Sequence, residues 1–157
     1  MRDKKIKTIS IIGVLIALSV VFSFIKIPSP VGTVAFDAIP GFFAAVYLLP
    51  SIGGFIGAIG HIATAATAGF PFGITSHIII ALTMFVACFV FGLLYKKNKF
   101  LAIILGILIN VFLAIIILGS VYKFSLFTPL IPFLLVGSSI NVILATIIYE
   151  NLKKVKW

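Results

Sequence analysis

Apolar runs of about twenty residues, each ended by proline or lysine, recur through nearly the whole chain, and that pattern dictates a bundle of membrane-spanning helices. A helix rising 1.5 Å per residue must cross roughly 30 Å of hydrocarbon, which takes about 20 apolar residues. The 157 residues can hold six such helices with short connections and no room for a soluble domain. Composition agrees, since 62% hydrophobic residues, 10% charged residues and a mean hydropathy of +1.35 lie far from a soluble globular domain. The expected fold is therefore an all-α membrane protein, one transmembrane domain over 1–157 with spans at 6–27, 36–49, 51–68, 74–95, 100–120 and 130–150. The first run is too long for a signal-peptide core and meets no small-x-small cleavage site before Lys26 and Pro28, so it is expected to remain as a span. The second is short and must sit shallow or gain length from Gly32 to Ala35.

Charge sets the topology. A rival reading fuses the second and third spans into one helix kinked at Pro50, giving five. Six spans with the N-terminus inside put Arg2, Lys4, Lys5, Lys7, Lys96, Lys97, Lys99, Lys153, Lys154 and Lys156 on the cytoplasmic side and leave only Lys26 and Lys123 outside. That bias is the positive-inside pattern, so a six-helix bundle with cytoplasmic N- and C-termini in the cell membrane is expected. The formal charge of +9 accordingly reads as a topology signal and not as a nucleic-acid footprint. The external connections at 28–35, 69–73 and 121–129 are rich in Pro, Gly, Ser, Thr or aromatic residues, whereas the cytoplasmic ones are minimal. Loops on a rigid scaffold tend to carry function, so the ligand-facing end is expected outside.

Few residues can carry chemistry. Gly53, Gly57, Gly60 and Thr64 keep the third span small on nearly every face, as a central helix with close neighbours requires. Gly13 and Ala17 form a narrower small-residue seam on the first. Asp37 is the only acid outside the terminal segments, and a carboxylate at membrane depth costs about 2.5 to 3.5 kcal/mol on insertion scales. Capping of the second helix, with Pro40 in its first turn, would offset that cost and leave an oxygen for a ligand. His61 and His77 can bond a ligand or tie helices together through Ser or Thr. Asn110 and Asn141 fall in aliphatic runs and can bond one another or floor a cavity. Phe72, Thr75, Tyr122 and Lys123 stand at the external ends of the later spans, where aromatics either line a planar ligand or form the interfacial belt. Cys88 is the only cysteine, so an internal disulfide and a Cys-cluster metal site are excluded. No G-x-x-x-x-G-K-[ST], H-E-x-x-H or G-x-S-x-G motif occurs, and no enzymatic activity, cofactor or metal is expected.

At this point the whole chain resembles the substrate-binding S components of energy-coupling factor (ECF) transporters. The resemblance rests on size, span number, the Gly13 and Ala17 seam and the Pro-rich first external loop, together with particular segments. These are Val34-Ala35-Phe36-Asp37 through Pro40-Gly41-Phe42-Phe43, then Gly60-His61 and Gly69-Phe70-Pro71-Phe72-Gly73. It implies a subunit that captures one vitamin or vitamin precursor at the outer face and docks, through Gly13 and Ala17, on a membrane T component energised by two cytoplasmic ATPases. Among subfamilies, the Phe-Asp-x-x-Pro-Gly-Phe-Phe and Gly-His segments look most similar to carriers of alpha-ribazole, a cobalamin precursor. The expected site is a cavity at the external ends of spans four to six, closed by the first and third external loops. Asp37, His61, His77 and Asn141 would supply its polar contacts and phenylalanines its walls. A scaffold protein without ligand would instead have a filled bundle, and a secondary carrier would want midplane acids where Asn110 and Asn141 stand.

Overall fold

The computed structural model describes residues 2–29 and 32–154. Lys156 of the terminal basic cluster and residues 30 and 31 of the first external loop lie outside the described residues. Helix α1 (Arg2–Phe22) is followed by a two-stranded antiparallel hairpin, β1 (Lys26–Ser29) and β2 (Gly32–Ala35), in which Lys26 pairs with Ala35 and Ser29 with Gly32. Then come α2 (Ile39–Tyr47), α3 (Pro50–Ala68) and α4 (Gly73–Tyr95). A long helical segment follows, made of α5 (Lys99–Leu108), a π-helical turn (Ile109–Leu113) and α6 (Ala114–Val121). A short α7 (Phe124–Phe127) and a 3-10 turn (Thr128–Leu130) lead into α8 (Ile131–Leu152).

Two expectations need correction here. The first span was expected to run to residue 27, but the helix ends at Phe22 and the hairpin begins at Lys26, so the fold is not wholly helical. Pro28 removes a ladder donor and favours a short edge hairpin over a continued helix. The second span was expected over 36–49, whereas α2 has 9 residues, about 14 Å at the helical rise. That cannot cross about 30 Å of hydrocarbon. Among the described residues, 5 helical segments are long and apolar enough to do so: Lys5–Phe22, Pro50–Ala68, Gly73–Tyr95, Lys99–Val121 and Phe124–Leu152. Pro50 opens α3 and kinks no fused helix, because the backbone breaks at Leu48 and is extended at Leu49.

The short helix is the most deeply enclosed element. Every residue from Ile39 to Val46 is buried, and α2 packs on α1, α3, α4 and α8. Its neighbours approach at backbone distance because small residues meet there. A Cβ added at Gly41 would lie 2.7 Å from the Cα of Gly57, one added at Gly53 would lie 2.4 Å from Ala45, and one at Gly92 would lie 2.6 Å from the Ala45 carbonyl oxygen. Such close approach is how helices gain packing energy where lipid offers no hydrophobic drive. Around this seam Phe42, Ile56, Cys88 and Phe91 fill the main core, with the Phe42 and Phe91 rings edge to face at 5.2 Å between centroids. A second cluster, Val111, Ile115, Leu118, Phe127 and Leu130, lies in the α6–α8 region.

At the bundle end opposite the hairpin, Tyr95 donates to Glu150 at 2.8 Å, and Lys153 approaches the same carboxylate at 2.5 Å. Helix α1 is peripheral, with 11% of its apolar stretch buried against 44% for α4. Gly13 and Ala17 lie on its exposed side, and nothing stands within 4 Å of a Cβ built at Gly13.

These contacts predict opposite outcomes for two glycines. Gly53→Ala should destabilise the purified protein by about 1–3 kcal/mol through overpacking against Ala45, read as a lower thermal midpoint in detergent. Gly13→Ala should leave the midpoint unchanged or raise it. Equal behaviour of the two variants would show that the α2–α3 approach is not held as tightly as its geometry requires.

Candidate functional site

Because α2 is only half a span long, the bundle axis beyond its N-terminus is not filled by a helix. A cavity of about 130 Å³ occupies that space. Its rim is the hairpin, through Thr33, Val34 and Ala35, and its base is Asp37 and Ala38 at the start of α2. Helix α3 contributes His61, Thr64 and Ala65, and α4 contributes His77, Ile80 and Met84. The far wall comes from Ile115, Leu118, Phe127, Leu134 and Ser138, with Asn110 and Asn141 beside them. The surface is mainly aliphatic and aromatic with a few polar groups, the usual makeup of a small-molecule site.

Each polar group is positioned by a specific local device. Asp37 is 5% exposed, and its Oδ2 accepts the Thr64 hydroxyl at 2.6 Å. It is not the cap expected from the sequence. The N-cap of α2 is Ala38, so Asp37 lies one residue further out and its carboxylate reaches across to α3. The partial positive charge at the α2 N-terminus still favours an anion there. Gly60 permits this meeting, since a Cβ on it would come 2.8 Å from the Asp37 carbonyl oxygen and 3.1 Å from Ser19 of α1.

The histidines bond one another, and no bond to Ser or Thr, one of the two readings the sequence left open, is made by either ring among the described residues. His61 Nε2 and His77 Nδ1 are 3.1 Å apart, with their rings stacked at 5.3 Å. The loop between α3 and α4 adds an aromatic wall. Gly69 ends α3 in the left-handed conformation (φ 77), and Phe70 follows with φ 50. A left-handed phenylalanine is strained and persists only where its surroundings fix it. Here its ring stands edge-on to His77 at 5.6 Å, and the Phe72 ring lies between those of His77 (6.1 Å) and Phe127 (5.5 Å).

Asn110 and Asn141 do not pair. Asn110 donates to the Ser138 hydroxyl at 3.0 Å from within the π-helical turn, a widened turn that commonly marks functional positions. Asn141 donates to the Ala35 carbonyl of β2 at 3.1 Å and to the Gly137 carbonyl at 3.0 Å. Val34 of the same strand packs onto Gly137, where an added Cβ would sit 2.2 Å from its Cγ1. The hairpin is thus latched to α8 on one side. On the other side Lys26 donates to Thr67 of α3 at 2.9 Å.

The structure therefore brings Asp37, His61, Phe72, His77 and Asn141 to one cavity. Thr75, Tyr122 and Lys123 are exposed and lie off its lining, with the Tyr122 hydroxyl 3.3 Å from Ser76. The cavity differs from the expected one in being lined also by Pro71 and Phe72 of the α3–α4 loop, where closure by the first and third external loops was expected. Sequence reasoning passed over Thr64 as a small residue, and missed the hairpin and the Asn110–Ser138 pair. Two short runs around Pro and Gly at residues 26–35 carried the hairpin signal. Among the described residues no cluster of three or more potential metal ligands exists. Three buried polar atoms on lining residues, Ser29 Oγ, His77 Nε2 and Asn141 Oδ1, have no hydrogen-bond partner among the described residues.

Fold and cavity define a class, a helical membrane protein with a buried chamber of small-molecule dimensions. The sequence over residues 7–150 matches the family described as "ECF transporter, substrate-specific component", and the chain belongs to that family. Among solved structures it is similar to that described as "Structure and mechanism of the S component of a bacterial ECF transporter". The TM-score is 0.68 at 20% identity, covering 96% of this chain and 97% of that one, a likeness of fold. No curated protein matches the chain. Members of the family are integral membrane transport subunits and not enzymes; they work with a T component and ATPase subunits on a small-molecule substrate.

The Asp37–Thr64 contact can be tested without a ligand. Thr64→Val should cost about 1–3 kcal/mol, because it keeps the volume and leaves a buried carboxylate oxygen without its donor. Thr64→Ser should retain most of the stability in the same thermal assay. A valine variant as stable as the parent would mean that Asp37 does not depend on this hydroxyl.

Proposed function

We propose that this protein is the high-affinity substrate-binding subunit of an ATP-driven ECF importer for a heterocyclic vitamin or vitamin precursor. Alpha-ribazole is the substrate favoured by the Phe-Asp-x-x-Pro-Gly-Phe-Phe and Gly-His segments. The observation that carries the reading is the cavity itself, aliphatic and aromatic on most of its surface yet bordered by buried polar atoms that the protein leaves unpartnered. Such atoms are rare in native structures and ask for a partner. Asp37, His61, His77 and Asn141 supply the polar contacts, and Phe72 supplies a flat face. An apolar ligand with a few fixed hydrogen bonds can reach nanomolar affinity, about 12 kcal/mol, with no covalent step. The cavity volume of about 130 Å³ is close to that of cavities that hold a single aromatic ring.

In this reading the hairpin end faces outward and the chain is a single transmembrane domain with cytoplasmic termini; α2 does not cross the lipid by itself but, enclosed by the other helices, returns the chain inward together with the residues on either side of it. The exposed Gly13 and Ala17 form the seam that meets the T component. Tight binding opposes release, so release requires a second state stabilised by the partner subunits.

Titration of the purified protein with heterocyclic vitamins and nucleosides should reveal at least one submicromolar ligand; its absence across the panel would refute the reading. For that ligand, Asp37→Ala and His61→Ala should each weaken binding at least about tenfold, the loss of one buried hydrogen bond. Ala17→Leu should abolish co-purification with the T component while sparing ligand affinity. Loss of both together would reject a pure docking role for the seam.

A further inference from the structure

The hydrogen-bonding polarity of the cavity restricts the chemistry of the ligand beyond its shape. A primary amide has two N–H donors, and both donors of Asn141 are engaged by carbonyl oxygens, those of Ala35 at 3.1 Å and Gly137 at 3.0 Å. Carbonyls only accept, so this pairing fixes the orientation of the amide. Its Oδ1 is left as an obligate acceptor, buried and without a partner on a side chain that is 3% exposed. His77 is adaptable by contrast. Its Nδ1 shares one hydrogen bond with His61 Nε2 at 3.1 Å, and neutral imidazole carries a single N–H. When His77 donates in that bond, its Nε2 accepts from a ligand; when His61 donates, the same Nε2 becomes a donor.

Charge points the same way. Asp37 is the one acid on the lining, and no lysine or arginine lines the cavity among the described residues. Lys26, the cation of the hairpin, is turned to Thr67, and Lys123 lies off the lining. A carboxylate or phosphate would enter against the Asn141 lone pairs and Asp37, which already occupies the positive end of α2. The nearby cation whose field reaches Asp37, Lys26, is engaged by Thr67 and lies off the lining.

Resting on the importer reading, we infer that the substrate carries no negative charge and presents an N–H or O–H donor to Asn141 Oδ1, which makes Asn141 the residue that selects donor-bearing ligands. A hydroxylated nucleoside meets this condition. A ligand whose recognition depends on a carboxylate or phosphate does not. A site built to bond a particular OH or NH rejects the analogue lacking it strongly, because its buried group is then unpaired.

The test uses the full chain in lipid nanodiscs and calorimetric titration. Its probes are neutral or cationic heterocycles (alpha-ribazole, adenosine, riboflavin, thiamine) and anionic ones (biotin, pantothenate, nicotinate, riboflavin phosphate). The tightest ligand is expected among the first group, with the anions about 100-fold weaker or more. Singly O- or N-methylated analogues of that tightest ligand should include one that binds at least about tenfold worse, and Asn141→Ala should bring the parent-to-analogue ratio close to one. Submicromolar binding of an anionic probe would overturn the inference and leave the importer reading standing. So would an unchanged parent-to-analogue ratio in Asn141→Ala, which would mark the residue as a brace for the hairpin only. Absence of binding by every probe would remove the importer reading, and this inference with it.

Discussion

The contact between α2 and α3, where Gly41 lies against Gly57 and Ala45 against Gly53, sets the depth of everything else in the molecule. It lets a nine-residue helix sit on the bundle axis, buried from Ile39 to Val46, and it closes that half of the interior with backbone-to-backbone packing. The other half has no such plug. Surrounding helices long enough to cross a bilayer continue past Ile39, and the space they enclose there is the cavity. The hollow is thus a consequence of helix length and of where the glycines fall.

Polar groups within this hollow are held by atoms that the fold supplies for other reasons. The hairpin strand that rims the cavity offers the Ala35 carbonyl that fixes Asn141, and the helix that packs on α2 offers the Thr64 hydroxyl that holds Asp37. Removing either support would disturb the rim and a cavity residue together. Among the described residues the hairpin is attached through Asn141 and Gly137 on α8, through Thr67 on α3 and through the Phe36 to Ile25 backbone bond at its base.

Much of this was legible in the sequence because lipid imposes a simple rule: backbone groups must be satisfied within a helix, so long apolar runs announce themselves. The run 74–95 became α4 (Gly73–Tyr95) almost residue for residue, and Gly69 ended α3 as a glycine after a helix should. The family resemblance was readable too, and the match over residues 7–150 upholds it. What failed did so where length or polarity is decided by tertiary contacts. Leu48 and Leu49 are apolar enough to extend α2, and Phe36 to Ala38 could begin it, yet the helix is confined to Ile39–Tyr47. Asp37 before Pro40 has the spacing of a cap, and only the position of Thr64 across the interface reveals its different partner. Thr75, Tyr122 and Lys123 stand near the site along the chain, but Thr75 is on an exposed face of α4 and Tyr122 and Lys123 are exposed in the link between α6 and α7.

Everything functional here depends on the chamber being an occupied one at some stage of the protein's cycle. Native mass spectrometry of protein extracted gently from its membrane, before and after incubation with heterocyclic vitamins, examines that directly. One small organic adduct per chain is expected, retained by the wild type and diminished when Asp37 and His61 are both replaced by alanine. A spectrum holding only the bare chain and lipid adducts under every condition would contradict it.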